Sequence, residues 1–194
     1  MKKFTAMLTL IALLLPLSLS ALQENEIGPV MRQKIDEVLT VINDQNLTKP
    51  ARNTAIEKII DPYFDFVLMA KLSLGKSGWE NASPAQRKEY IALFEHRIKD
   101  SYMSKIDLYK NEEIVLEAPQ KQGSRIHLNS YIVDKGEKKE VLYKFYRSRD
   151  HGWLIYDVDV LGVSIIQTYR SQFAGELQKG SMELLLQKLK EPVS

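Results

Sequence analysis

The chain has 194 residues, of which 44% are hydrophobic, and it contains no cysteine. This length suits one domain with a sizeable core, and the absence of cysteine excludes a disulfide framework and a thiol nucleophile. Lysine and arginine number 27 against 25 aspartate and glutamate residues, a balance that gives no support to nucleic-acid binding.

The amino-terminal segment 1–20 has the pattern of a secretory signal peptide. Lys2 and Lys3 precede an apolar run from Phe4 to Leu17, and small residues follow at the right spacing for cleavage after Ser20, or else after Ala21. The run is too short and wrongly flanked for a stable transmembrane helix, although a retained membrane anchor is the alternative. We therefore predict a bacterial protein that is exported to the periplasm.

The mature chain, 21–194, is predicted to form a single domain. Removal of the two lysines in the signal peptide leaves 25 basic and 25 acidic residues, so the mature protein is formally neutral. Its first element is predicted as a helix over 26–45, because the apolar residues from Ile27 to Ile42 recur at helical spacing. A short helix after Pro50 is expected to end at Asp61-Pro62, since the residue before proline disfavours helical angles.

Two further helices are predicted before residue 111. The segment from Tyr63 to Leu74 is apolar nearly all round and ends at Gly75, a good helix-terminating residue; within it, Asp65 is a candidate N-cap. Ser83 is the predicted N-cap of the next helix, with Pro84 at its first position and a glutamine at the third. That helix reaches Tyr102 and is expected to extend, with a bend, as far as residue 109.

After residue 111 the apolar period changes from 3.6 to 2, which predicts strands. Short connections make the strands sequential antiparallel neighbours, and the mixed-charge run 135–140 is expected at a solvated hairpin tip. With helices on both sides in the sequence, the pattern predicts an α+β fold with a four-stranded meander. The four predicted strands are Glu113–Ala118, Arg125–Asp134, Glu140–Arg149 and Trp153–Val160.

The stretch from Trp153 to Phe173 joins the last strand to a helix. Alternation up to Val160 gives way at Leu161-Gly162 to helical spacing that begins at Val163. Gly162 is the expected pivot. The strand should therefore run directly into a helix that folds back over the sheet, and a final helix is expected over 182–189.

Candidate catalytic residues are few. His96, His127 and His151 are far apart and show no metal-ligand spacing, so surface or edge roles are expected for them. Asp157 and Asp159 share one face of a strand and could hold a divalent ion or act as acid and base. The alternative is that they lie on the solvated face of the sheet or pair with a nearby basic residue.

Three segments, FDFVLMAKLSLGKSGW (64–79), SPAQRKEYIALFEHRIKDSY (83–102) and WLIYDVDVLGVSIIQTYRSQF (153–173), resemble the MlaC family of periplasmic phospholipid-binding proteins. The resemblance covers about residues 27 to 190. It implies a curved antiparallel sheet, similar to that of nuclear transport factors and cystatins, wrapped by helices. It also implies carriage of phospholipid between an inner-membrane ABC complex, through an MlaD-type component, and an outer-membrane lipoprotein–porin complex of the MlaA type. The bound phospholipid is cargo; no cofactor, metal or nucleic acid is expected, and the protein is predicted to be a monomeric non-enzyme.

The predicted lipid-binding residues are those expected to face an apolar cavity between sheet and helices, although each could instead be packed core. The candidates for binding the phosphate of the head group are Arg97, Arg147 and Arg170, because a guanidinium can bind phosphate through two hydrogen bonds. Arg147 shares a strand face with the apolar residues. Arg170 could instead pair with Asp157 or Asp159. The full set is Phe66, Met69, Ala70, Leu74, Tyr90, Phe94, Ile98, Tyr102, Ile126, Leu128, Val141, Tyr143, Phe145, Arg147, Val158, Val163, Ile166 and Tyr169.

Two other functions remain open on the sequence. Related curved-sheet folds host isomerases and dehydratases, and for such an enzyme Asp157 with Tyr143 would be the acid–base candidates. A weaker alternative is a chaperone-like binder of apolar peptides in the same cavity.

Overall fold

The computed structural model describes residues 21–106, 109 and 112–192. The predicted signal peptide, 1–20, lies outside the described residues. Among the residues described, no helix is both long enough and apolar enough to span a bilayer. The chain order is four helices, six strands and two helices within this described part, consistent with the predicted α+β class.

The helical first half comprises α1 (Ile27–Asn43), α2 (Lys49–Ile60), α3 (Phe66–Asn81) and α4 (Pro84–Ile106), with short 3₁₀ turns at Glu24–Glu26 and Asp61–Tyr63. The predicted cap at Ser83 is confirmed: its hydroxyl accepts the Gln86 N–H, and the Gln86 side chain accepts the Ser83 N–H. Asp65 caps α3 as predicted, because its carboxylate accepts the Leu68 N–H at 2.8 Å.

The expectation that a helix stops at Gly75 is only partly correct. Gly75 has φ +74° and ψ 167°, which breaks the helical geometry, but the chain resumes a helix at once and continues to Asn81. A left-handed φ is accessible to glycine at little cost, so Gly75 forms a kink between two helical segments.

The second half contains one six-stranded sheet. Its strands are β1 (Glu113–Leu116), β2 (Gln120–Gln122), β3 (Arg125–Asp134), β4 (Glu137–Ser148), β5 (Gly152–Val160) and β6 (Val163–Ser164). The order is β1-β3-β4-β5-β6, all antiparallel, and β2 also pairs with β3. The four predicted strands are present, and β2 and β6 are two short strands that the sequence pattern does not reveal. Strand β4 starts earlier than predicted, because Lys135 and Gly136 both adopt positive φ and close a tight hairpin.

The transition after β5 differs from the prediction. Leu161 and Gly162 have φ of +52° and +76°, and this two-residue turn sends the chain back as β6, antiparallel to β5. Only then does α5 (Ile165–Lys179) begin, with Ser164 as its N-cap, followed by α6 (Met182–Lys190). The expectation that the strand runs directly into the helix at Val163 is therefore wrong.

The register of β3, β4 and β5 places apolar side chains in rows across one face of the sheet. Ile126 lies opposite Phe145, which lies opposite Ile155; in the next row, Leu128 lies opposite Tyr143 and Tyr143 opposite Val158. A bulge between Lys144 and Phe145 interrupts the β4–β5 ladder between these rows and adds local bend to the sheet. This face and the helices together enclose the hydrophobic core.

Candidate functional site

The structure brings all but two of the predicted lipid-binding residues into one apolar cluster formed by the sheet and the helices. The buried members are Met69, Ala70, Leu74, Tyr90, Phe94, Ile98, Ile126, Leu128, Phe145, Val158 and Ile166. Those partly buried against the cluster are Phe66, Tyr102, Val141, Tyr143 and Tyr169. Residues from α3, α4, α5 and three strands therefore share a continuous apolar interior.

Two predicted residues lie outside this cluster. Val163 belongs to β6 rather than to the helix and is 59% exposed, because the turn at Leu161-Gly162 holds it at the edge of the sheet. Arg147 is exposed near the end of β4, where it pairs with Trp153 of β5. The pairing of β4 with β3 ends at Tyr146, so Arg147 has no partner residue on β3. The expected placement of Val163 facing the interior is thus wrong, whereas the role of Arg147 as a candidate for binding the phosphate head stays a prediction.

Four aromatic rings form the centre of the helical side of the cluster. Tyr90 and Phe94 of α4 stack at 5.8 Å, and Phe173 of α5 meets both edge-on at 5.9 and 6.2 Å. Tyr169 completes the group, with its ring 5.4 Å from Phe94 and 5.3 Å from Phe173. Phe173 is absent from the predicted site, although its spacing of four from Tyr169 on the same apolar stripe is a signal that identifies it.

The apolar interior also contains hydroxyl groups. Tyr90 is fully buried, and its hydroxyl lies 2.8 Å from that of Ser73, which donates to the carbonyl of Ala70. Burial raises the pKa of Tyr102 and of Tyr143. Both phenols therefore stay neutral at physiological pH, and the interior gains no charge from them.

The paired aspartates of β5 have a structural role. Lys144 of β4 contacts Asp157 at 3.1 Å and Asp159 at 2.6 Å. Asp157 is buried and also accepts the Ser164 hydroxyl and the N–H of Ile166, so it ties β5 to the start of α5. The expectation of a solvated face is wrong for Asp157, whereas pairing with a basic residue is confirmed.

Lys144, rather than Arg170, is the basic partner of these aspartates. Burial alone would lower the pKa of Lys144, but hydrogen bonds to Asp159 and Asp157 outweigh it and raise the pKa. Arg170 lies instead on the exposed side of α5 near the Gly75 kink. The aspartates are thus held by neighbours on both sides, and the described residues contain no His, Cys, Asp and Glu group suited to a metal ion.

The remaining polar candidates are Arg97 and the three histidines. The Arg97 guanidinium donates to the carbonyls of Lys188 and Glu191, both at 2.7 Å, and so closes the carboxyl end of α6. His96 is exposed and lies 3.2 Å from Asp100, and His151 is exposed in a turn. Burial and the neighbouring Lys144 lower the pKa of His127, which keeps it neutral at pH 7.

A cavity of about 240 Å³ opens between α4, α5 and α6. Its wall includes the polar side chains of Arg97, Glu176 and Lys188 and the aromatic rings of Tyr169 and Phe173. The two rings also belong to the buried aromatic group, so this cavity adjoins the apolar interior.

The comparisons with known proteins agree with this arrangement. The family model described as MlaC protein matches residues 32–191. The chain belongs to the MlaC family. The intermembrane phospholipid transport system binding protein MlaC of Haemophilus influenzae is 24% identical over 203 residues, which cover 100% of this chain and 94% of that protein.

A solved structure shows the same fold. The phospholipid-binding protein of Ralstonia solanacearum, determined in complex with a phospholipid, superposes with a TM-score of 0.73 at 22% identity, covering 84% of this chain and 93% of the other. The predicted α+β class with its curved antiparallel sheet is therefore confirmed. Family membership also confirms the prediction that the chain is not an enzyme, and the isomerase-like alternative built on Asp157 and Tyr143 is abandoned.

Proposed function

We propose that the mature chain is a periplasmic phospholipid carrier that holds the acyl tails in the apolar interior between sheet and helices. Membership in the MlaC family supports this, as do the name of the Haemophilus influenzae relative and the phospholipid bound to the Ralstonia solanacearum protein. The head group stays near water, because a charged phosphate is costly to bury.

The continuous apolar cluster is the observation on which this proposal depends. Burying roughly 30 acyl methylenes at about 0.8 kcal/mol each stabilises a phospholipid by about 24 kcal/mol relative to water. Free diffusion of the lipid across an aqueous compartment is negligible at that cost. Transfer between a bilayer and the protein exchanges one apolar environment for another, so the net free-energy change is small and the carrier can release its cargo.

The tails need more space than the cavity between α4, α5 and α6 provides. Ligand pockets typically measure roughly 300 to 1,000 Å³, whereas the cavity between α4, α5 and α6 is about 240 Å³. Unbranched Met69 lies in the cluster, and such a side chain adapts readily to varied neighbours. The kink at Gly75 lies directly beyond Leu74, where a change of backbone angle moves the two halves of α3 relative to one another.

The partners follow from the same proposal. The carrier exchanges phospholipid with an inner-membrane ABC complex through an MlaD-type component and with an outer-membrane lipoprotein–porin complex of the MlaA type. It acts as a monomer with no cofactor, metal or nucleic acid, and the phospholipid is cargo. Export depends on the signal peptide, 1–20.

The test is lipid analysis of the purified protein. The mature chain, 21–194, is produced by export in bacteria, purified without detergent and extracted for lipid mass spectrometry. We expect phospholipid at close to one molecule per protein. A lipid-free extract from folded, monomeric protein that also takes up no phospholipid from vesicles would overturn the proposal.

A pair of substitutions on adjacent residues tests where the tails lie. Val141 faces the cluster from β4, whereas Leu142 pairs across the sheet with Asn129 and Asp159 and faces the other side. Both side chains are partly buried. Val141→Trp should lower the lipid load because the indole occupies tail volume, and Leu142→Trp should leave it unchanged. Equal loads in the two variants would place the tails elsewhere.

A further inference from the structure

The cavity between α4, α5 and α6 has a polar wall and an apolar wall. Arg97 and Lys188 contribute two positive charges and Glu176 one negative charge, which leaves a net positive charge beside the opening. Tyr169 and Phe173 form apolar surface on α5. The two walls complement a phospholipid, because its phosphate binds cationic hydrogen-bond donors and its tails are stabilised by apolar surface.

The apolar wall is also the boundary of the protein interior. Phe173 is almost completely buried, and its ring lies 5.9 Å from Tyr90 and 6.2 Å from Phe94. Tyr169 lies 5.4 Å from Phe94 on the same side. These two rings of α5 therefore lie between the cavity and the apolar cluster.

Contacts of wall residues join α6 to α4 and α5. Lys188 of α6 forms an ion pair with Glu176 of α5. The Arg97 guanidinium of α4 donates hydrogen bonds to two carbonyls at the end of α6. Exposed ion pairs of this kind are weak and screened by salt. Helix α5 has Gly180 as its C-cap, and its N-cap Ser164 is the last residue of β6.

A second hollow on the surface lacks these features. It lies along α1, and its wall, which includes Pro29, Arg32 and Thr40, comes from that helix alone. It is an open groove that does not adjoin the aromatic group. Of the two hollows, the cavity between α4, α5 and α6 is the one whose wall includes rings of the aromatic group.

We propose that phospholipid enters and leaves the protein through the cavity between α4, α5 and α6. The phosphate of the head group lies at Arg97 and Lys188, and the tails pass Tyr169 and Phe173 into the apolar cluster. This inference rests on the proposed function, since it identifies the entry route of the same lipid-binding site.

Substitutions at the opening test the route. Gln172 of α5 lies in the cavity wall and is exposed, whereas the neighbouring Ser171 is exposed but outside the wall. The measured quantity is the rate at which the mature protein takes up phosphatidylethanolamine with a pyrene-labelled tail from vesicles. Gln172→Trp should slow uptake at least tenfold because its indole obstructs the opening, and Ser171→Trp should match the wild type.

A second pair on α4 repeats the test from the opposite wall. Ser101 lies in the wall and Ser104, one turn further on, is exposed outside it. Ser101→Trp should slow uptake and Ser104→Trp should not. Glu176→Gln, which releases the Lys188 contact, should accelerate uptake two- to threefold, whereas Glu24→Gln, in the distant exposed pair with Lys121, should have no effect.

The outcomes separate this inference from the proposed function. If the wild type takes up phospholipid and the folded Gln172→Trp and Ser101→Trp variants do so within twofold of its rate, the entry route lies elsewhere and this inference is overturned. If the wild type takes up no phospholipid, the proposed function fails, and the route fails with it. We expect slowed uptake in Gln172→Trp and Ser101→Trp, and wild-type rates in the controls Ser171→Trp and Ser104→Trp.

Discussion

Tyr90 and Ser73 share a buried hydrogen bond of 2.8 Å between their hydroxyl groups. The Ser73 hydroxyl has one proton and donates it to the Ala70 carbonyl, so the Tyr90 hydroxyl must donate to Ser73. The Tyr90 ring is at the same time part of the aromatic group at the centre of the core.

This direction predicts unequal effects of two substitutions. Tyr90→Phe removes the donor but leaves Ser73 bonded to Ala70, so the free energy of unfolding should fall by only about 1 kcal/mol. Ser73→Ala leaves the buried Tyr90 hydroxyl without a hydrogen-bond acceptor, so the free energy of unfolding should fall by about 2 to 3 kcal/mol. Urea denaturation of both variants and of the double variant checks this. A double variant less stable than Ser73→Ala alone by the full cost of Tyr90→Phe would contradict the coupling.

The surroundings of Gly152 predict a large effect of substitution on the free energy of unfolding. It has φ +71°, and a Cβ there would overlap the carbonyl oxygen of Leu22, whose segment pairs with β5. Gly152→Ala should therefore displace Leu22, which is buried, and cost about 3 to 5 kcal/mol, combining the penalty of a left-handed backbone with lost burial. Thermal or urea unfolding measures the change.

Gly123 is the matched control for this substitution. It has φ +60°, and the space that a Cβ would occupy is open, with no packing neighbour within 4 Å. Gly123→Ala should therefore show only the backbone penalty of about 1 to 2 kcal/mol. If Gly152→Ala were no more costly than Gly123→Ala, the docking of Leu22 on β5 would contribute nothing to stability.

The contribution of Tyr146 to the stability of the protein is predicted to disappear at alkaline pH. Burial, followed by its hydrogen bond to Asp65, raises the pKa of Tyr146 to about 12. The unfolded phenol titrates near 10. Because the folded pKa is the higher one, this contribution to stability is complete below about pH 10 and disappears as the pH rises towards 12.

Unfolding by urea between pH 8 and pH 12 tests the contribution of Tyr146. Tyr146→Phe should be less stable than the wild type at pH 8, because it lacks the hydrogen bond to Asp65, and the difference should narrow above pH 10. Tyr156→Phe, whose ring lies 6.1 Å from that of Tyr146, is the neighbouring control. A difference that stays constant from pH 8 to pH 12 would contradict the assignment.

The periodic parts of this fold can be predicted from the sequence, whereas the reversal after β5 cannot. The alternation in β3 to β5 and the cap at Ser83 are local signals, and both correspond to the structure. The turn at Leu161-Gly162 lacks the usual asparagine or aspartate, and the strand after it has only two residues, so Val163 has the pattern of a helix start.

The candidate site shows the same division. Residues such as Leu128 and Phe94 can be identified from the sequence because period and size indicate burial. The destinations of long or charged side chains depend on tertiary packing: Arg97 reaches the end of α6, and Asp157 is buried because the start of α5 lies against it. Alternation along β5 indicates only that Asp157 and Val158 face opposite sides.

Asp157 provides the prediction that separates structural support from lipid binding. Asp157→Asn keeps an oxygen that accepts the Ile166 N–H but loses the ionic attraction to Lys144. Lys144 retains Asp159, so the free energy of unfolding should fall by about 1 to 3 kcal/mol, less than for a buried ion left without any partner. Asp159→Asn is the matched control, since it leaves the contacts of Asp157 to Ser164 and Ile166 intact. The phospholipid load per folded molecule, measured by mass spectrometry, should equal that of the wild type in both variants. A folded Asp157→Asn protein without lipid would show that this carboxylate acts on the ligand rather than on the junction of β5 and α5.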